Sequence, residues 1–203
     1  MKSPGPRQIR WRYKPVIHML CLFPFAWMAL GAFQGWLGVN PVEEMTHQTG
    51  LWALRLLLVT LVVTPLARMT RSGWIAGFRR MLGLYSFFYG FVHFSVYLLF
   101  DLSLDFGDLW EEVLDRPYIT VGFAGFVILL FLAVTSPVSI RKKMGRYWNH
   151  LHRFVFVAGA LTVVHYLWIT KADDTQPFIY GGLLITLILV RIGLKRTKKH
   201  RRS

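Results

Sequence analysis

The chain reads as an all-α protein, a six-helix transmembrane bundle with both termini on the cytoplasmic side. Three observations predict this fold. Of its 203 residues, 54% are hydrophobic and 16% aromatic, more than an ordinary soluble domain carries. Apolar runs recur at roughly 16–37, 49–67, 81–100, 118–135, 151–170 and 177–194, each near the ~20 residues that a bilayer-crossing helix needs. Charge alternates from loop to loop. Basic residues cluster in the N-terminal arm (Lys2, Arg7, Arg10, Arg12, Lys14), in the second loop (Arg68, Arg71, Arg79, Arg80), in the fourth (Arg141, Lys142, Lys143, Arg146) and in the tail from Arg191 to Arg202. All ten acidic residues fall in the other three loops, with only Arg116 and Lys171 as cations there. The positive-inside rule then places both ends and the basic loops in the cytoplasm. The organisation is a basic arm over 1–15, a membrane domain over 16–194 and a basic tail over 195–203. The net charge of +14 therefore reports topology and anionic lipid headgroups, not nucleic acid. Cys21 is the single cysteine, so an intrachain disulfide framework is excluded.

The first span follows a basic arm as a signal peptide would. It lacks a small-residue cleavage site and ends in Gln34-Gly35-Trp36, so it reads as retained. His18, near its inner end, reads better as a residue bonded to a neighbouring helix or a headgroup than as a ligand. Gly38-Val39-Asn40-Pro41 breaks the helix. His47 falls in the outer loop before span two, and Arg55 sits about one and a half turns into that span, where it can snorkel outward. Pro65 is expected to kink or end the helix. In span three, His93 is the one histidine, and Gly83 and Gly90 leave a shallow groove for a flat macrocycle or another helix. The third loop, Asp101 to Arg116, is acidic, and Asp108-Leu109-Trp110-Glu111 resembles an N-cap opening a short amphipathic helix. Span four has no ionisable residue and stops at Thr135-Ser136-Pro137. A basic loop leads into Trp148-Asn149-His150-Leu151-His152-Arg153, and span five ends in His165-Tyr166-Leu167-Trp168. Span six follows Gln176-Pro177 and has no histidine. No internal repeat or low-complexity segment is legible.

An ionisable side chain inside a membrane span points to a functional site. Imidazole is also a usual protein ligand of b-type haem. His93 stands ~18 Å above the inner edge of its span and His165 ~21 Å above that of its own, so both imidazoles share a level in the outer half of the bilayer. A porphyrin clamped between two helices needs that coincidence, and the competing reading is a pair of unrelated buried histidines. Arg55 and His47 would then suit a haem propionate, or His47 a partner protein. On a straight helix His152 and His165 would point ~140° apart and His150 and His165 only ~60° apart, so His152 requires local irregularity.

Taken together, His93, Leu151-His152-Arg153 and His165-Tyr166-Leu167-Trp168 resemble the haem-binding membrane subunits of the periplasmic methionine sulfoxide reductase system, the MsrQ family of MsrPQ. Thr64-Pro65-Leu66-Ala67-Arg68, Arg80-Met81-Leu82-Gly83-Leu84 and Arg116-Pro117-Tyr118 extend the likeness over nearly the whole chain. The family belongs to a ferric-reductase-like transmembrane group. The resemblance implies a b-type cytochrome of the bacterial inner membrane, an electron-transfer subunit and not the catalytic one. It would take electrons from the quinol pool or a cytosolic flavin reductase and pass them to a periplasmic molybdenum-cofactor subunit, forming a heterodimer that repairs oxidised proteins. By the same resemblance His93, His152 and His165 are haem and iron ligands, the cofactors are one haem b or two, and FMN also binds. No residue marks the flavin site, though Arg79 and Arg80 are candidate phosphate contacts. The wider group carries two histidines on each of two spans, and the position thirteen before His93 holds Arg80. A second, inner haem would need His18 or a non-protein ligand instead. The alternatives are a haem-free membrane anchor or assembly protein, and the membrane domain of a ferric or cupric reductase. The latter calls for a flavin and nicotinamide domain, and the chain has no G-x-G-x-x-G fingerprint.

Overall fold

The computed structural model describes residues 6–170 and 174–200. Lys2, Lys171, Asp173, Arg201 and Arg202 lie outside the described residues, as do the side chains of Arg7, Arg10 and the tail from Lys195. The elements are α1 (Pro6–Gln34), α2 (Pro41–Met69), α3 (Arg79–Val96), α4 (Phe106–Asp115), α5 (Pro117–Val134), α6 (Val138–Met144), α7 (Arg146–Leu151), α8 (Val155–Ile169) and α9 (Gln176–His200). Among the described residues six stretches are long and apolar enough to cross a membrane: Trp11–Gln34, Pro41–Met69, Ile75–Asp101, Pro117–Val134, Arg146–Ile169 and Gln176–Leu194. Large apolar side chains stand exposed along α1 (Met19, Phe23, Phe33) and α9 (Phe178, Ile185, Leu189). Water would penalise that surface heavily, whereas lipid accepts it. This is a multi-pass membrane protein.

The chain divides into two compact units, Met1–Phe106 and Gly107–Ser203. In the first, α2 opens with Asn40, whose side chain accepts from the Glu43 amide, followed by Pro41 and the first-turn acids Glu43 and Glu44. Each feature suits the positive end of the helix. His47 lies inside α2, on its exposed side, and not in a loop. Pro65 does not end α2, which continues to Met69. The buried stripe of α3 is Leu82, Ser86, Tyr89 and Val96, at helical spacing, and it packs on α2. The Ser86 hydroxyl donates to the Ala53 carbonyl at 2.8 Å. Tyr89 is fully buried, and its hydroxyl donates to the Cys21 carbonyl (2.7 Å) and accepts from the Phe25 amide (3.0 Å). Those two backbone groups would pair in an uninterrupted helix, and Pro24 lies between them, so the phenol is inserted into the α1 ladder.

In the second unit α5 packs on α8, and α8 on α9. The acidic connection does hold an amphipathic helix, α4, but it opens at Phe106, two residues before the expected cap at Asp108. Leu109 and Val113 are buried, while Phe106, Trp110 and Leu114 are exposed. The basic connection is two short helices, α6 and α7, separated by Gly145 at φ 53 and ψ −122. Between α7 and α8 the backbone tightens into a 3₁₀ turn, His152–Phe154.

Candidate functional site

His93 falls on the buried stripe of α3, seven residues after Ser86, and therefore faces α2. Its Nδ1 lies 2.8 Å from the Thr46 carbonyl. A carbonyl oxygen only accepts, so Nδ1 carries the proton and donates. A neutral ring then has its lone pair on Nε2, the nitrogen that would bind a metal. The ring packs against Gly50, one turn below Thr46, where a Cβ would stand 3.1 Å from both Cε1 and Nδ1.

His165 repeats this arrangement in the second unit. It lies seven residues after Ala158, which is fully buried, and faces α5. Its Nδ1 donates to the Tyr118 carbonyl at 2.7 Å, and its ring packs against Gly122, where a Cβ would stand 2.6 Å from Cε1 and Nδ1. Each histidine reaches a carbonyl 47 residues earlier. Thr46 and Tyr118, Gly50 and Gly122, Ser86 and Ala158, and His93 and His165 are all separated by the same 72 residues. Pro65 and Pro137 share the offset, as do Arg80 and His152. The expectation of no internal repeat is therefore corrected: a two-helix device recurs in geometry where too few side chains match for sequence to reveal it.

His152 sits differently. It begins the 3₁₀ turn, stacks on Trp148 with ring centroids 3.9 Å apart, and places Nε2 3.1 Å from the Thr135 hydroxyl. That hydroxyl already donates to the Phe131 carbonyl at 2.6 Å, so it accepts from His152. The Trp148 indole donates to the Thr135 carbonyl at 2.9 Å, closing the cluster. The local irregularity that His152 requires is present. Three residues at ~120° each in place of ~100° bring His152 and His165 from about 140° to roughly 80° apart around the axis. His150 is exposed and bonds the Arg146 carbonyl through Nδ1.

The remaining candidates have other surroundings. His18 shares a 2.6 Å hydrogen bond with the Tyr85 hydroxyl, the partner on a neighbouring helix that the sequence suggested. Arg55 is half-buried, with its guanidinium 5.2 Å from the Trp52 ring. Arg79 approaches the Thr64 hydroxyl at 3.5 Å, and Arg80 is exposed. Among the described residues no three His, Cys, Asp or Glu side chains converge as a bare metal ion would need. A porphyrin fills the equatorial positions of its own iron and asks the protein only for axial imidazoles. The donor set fits that demand.

Sequence reasoning missed Thr46, Gly50, Tyr118, Gly122, Thr135 and Trp148. The 72-residue offset between His93 and His165, carried back, lands on glycine at both 50 and 122, the one mark in the sequence that could have pointed to those two.

Residues 49–163 match the family model described as ferric reductase like transmembrane component. A "Protein-methionine-sulfoxide reductase heme-binding subunit MsrQ" from Xanthomonas axonopodis pv. citri (strain 306) is 43% identical over 188 residues, covering 90% of this chain and 86% of the relative. Proteins of the same name from Herminiimonas arsenicoxydans (42% identical over 192 residues; 93% and 88% covered) and Xanthomonas oryzae pv. oryzae (strain MAFF 311018; 41% over 198; 93% and 91%) are similar to it as well. With likeness of this depth along most of its length, the chain belongs to the MsrQ family of heme-binding subunits, within the ferric-reductase-like transmembrane group.

Proposed function

We propose that the protein is a b-type cytochrome subunit of the inner membrane. In this reading it carries electrons from the quinol pool or a cytosolic flavin reductase to a periplasmic molybdenum-cofactor subunit that reduces methionine sulfoxide. The observation that carries the reading is the twice-built histidine: His93 and His165 each donate Nδ1–H to a main-chain carbonyl. That bond fixes the tautomer, orients the ring and raises the basicity of Nε2. A carbonyl belonging to a helix cannot swing away, so the imidazole is held before any cofactor arrives. Haem, when bound, supplies a one-electron couple. In this reading His93 and His165 would hold one haem, and His152, with its separate Thr135–Trp148 support, would hold a second, inner one. FMN belongs to the reading by family likeness alone, and no residue is assigned to it.

Purified protein should show a b-type Soret band that shifts on dithionite reduction. Membranes should reduce that haem with a quinol or with a flavin reductase and reduced nicotinamide, and oxidation should follow addition of the periplasmic subunit. A purified protein with no Soret absorbance would favour a haem-free anchor and end the proposal.

A further inference from the structure

The two glycines under the histidine rings belong to no motif singled out in the sequence, yet each occupies the equivalent place. An ideal Cβ at Gly122 would lie 2.6 Å from His165 Cε1 and Nδ1, closer than a side-chain carbon can stand to any heavy atom without something moving. At Gly50 the corresponding distance to His93 is 3.1 Å, a tighter contact than usual but one that a few tenths of an ångström of movement relieves. Gly83 and Gly125, on the same helix pairs, do not crowd a ring. A Cβ at Gly83 would meet Thr60 Cγ2 at 3.6 Å, and one at Gly125 would meet Leu161 Cβ at 3.5 Å, both ordinary contacts.

The place of each glycine in its helix explains the need. Nδ1 reaches the carbonyl of the residue one turn earlier, Thr46 before Gly50 and Tyr118 before Gly122. To make that bond the imidazole must lie along the neighbouring backbone, over the residue that follows one turn later. Any Cβ at that residue lies under the ring. A histidine pushed off by it loses the Nδ1–H bond, and with it the tautomer and the aim of Nε2.

We infer that Gly50 and Gly122 are positioning residues for His93 and His165: the missing side chain is what lets each imidazole lie on the adjacent helix and bond its carbonyl. The inference rests on reading the two histidines as haem ligands. It extends that reading from the ligands to the opposite helix of each pair, and it makes the two positions unequal, with Gly122 the stricter.

The test is haem content and low-spin electron paramagnetic resonance of purified Gly50→Ala, Gly122→Ala and Gly125→Ala, beside His93→Ala and His165→Ala. Gly122→Ala should lose haem affinity by about tenfold or more, the scale seen when a ligand's supporting partner is removed. Gly50→Ala should keep haem with displaced g-values, and the Gly125 variant should match the parent. Parental haem content and g-values in both Gly50→Ala and Gly122→Ala, with the histidine variants defective, would overturn the positioning role alone. Parental haem in the histidine variants would instead overturn the ligand reading, and this inference with it. If Gly122→Ala fails to accumulate in the membrane, the pair Gly122→Ala with His165→Ala decides. Removing the ring removes the collision, so restored accumulation supports the inference and continued absence contradicts it.

Discussion

Tyr89 shows how much one side chain can hold inside a membrane. Its hydroxyl satisfies both a carbonyl and an amide of α1 while the ring is fully buried. Tyr89→Phe strips a partner from the buried Cys21 carbonyl and from the partly buried Phe25 amide, and a buried loss of this kind costs about 1–3 kcal/mol. We expect a lower thermal midpoint in detergent; an unchanged midpoint would mean that α1 closes its own Cys21–Phe25 bond. The histidines divide by the same reasoning. His93 and His165 are held by main-chain carbonyls, whereas His152 leans on a hydroxyl and an indole ring. His152→Ala should therefore remove only part of the haem spectrum and leave the component that depends on His93 and His165. The histidines themselves were legible, because an ionisable group within an apolar run stands out. Their glycines were not. Gly50 matters through a residue 43 positions later, and local pattern does not reach that far.

At the scale of elements, the six spans were readable from hydrophobic length, and their ends were less so. Pro65 and Pro15 lie within helices despite their breaking tendency, since a long apolar helix in lipid has few other ways to satisfy its backbone. The helices α6 and α7 were read as a loop because basic residues dominate them, yet each is a regular turn or two joined at Gly145. At φ 53 and ψ −122 that residue occupies a region essentially restricted to glycine. Gly145→Ala should cost about 1–3 kcal/mol of stability. Because Trp148, the support of His152, begins only three residues later, its spectral effect should fall on the His152-dependent component. A variant as stable as the parent would contradict this account of the turn. We propose that the acidic connection containing α4 docks the periplasmic subunit. Asp101, Asp105, Asp108, Glu111, Glu112 and Asp115 precede Arg116 in this connection, and Arg116 pairs with Glu112 at 2.9 Å. Opposed surface charge chiefly raises encounter rates and is screened over ~8 Å at physiological salt. Neutralising the six acids should slow electron delivery to the periplasmic subunit at low salt and leave the haem spectrum unchanged; equal turnover at low and high salt would remove the docking role.

For the whole molecule, charge asymmetry predicts that the basic ends and loops share the cytoplasmic side. Reporter fusions at Asp108 and at the C-terminus should accordingly report opposite compartments. The six spans follow from lipid, a constraint written directly into composition, whereas the repeated helix pair follows from packing and left almost no mark on residue identity. The central proposal, that His93 and His165 bind the same haem, has a direct measurement. It is the haem-to-protein ratio of purified His93→Ala, His165→Ala and the double variant. If both residues bind the same iron, each single variant loses the same haem, with the same bands missing from the reduced-minus-oxidised spectrum, and the double variant loses no more. If the losses differ, or add in the double variant, the two histidines serve different sites and the account is wrong at its centre.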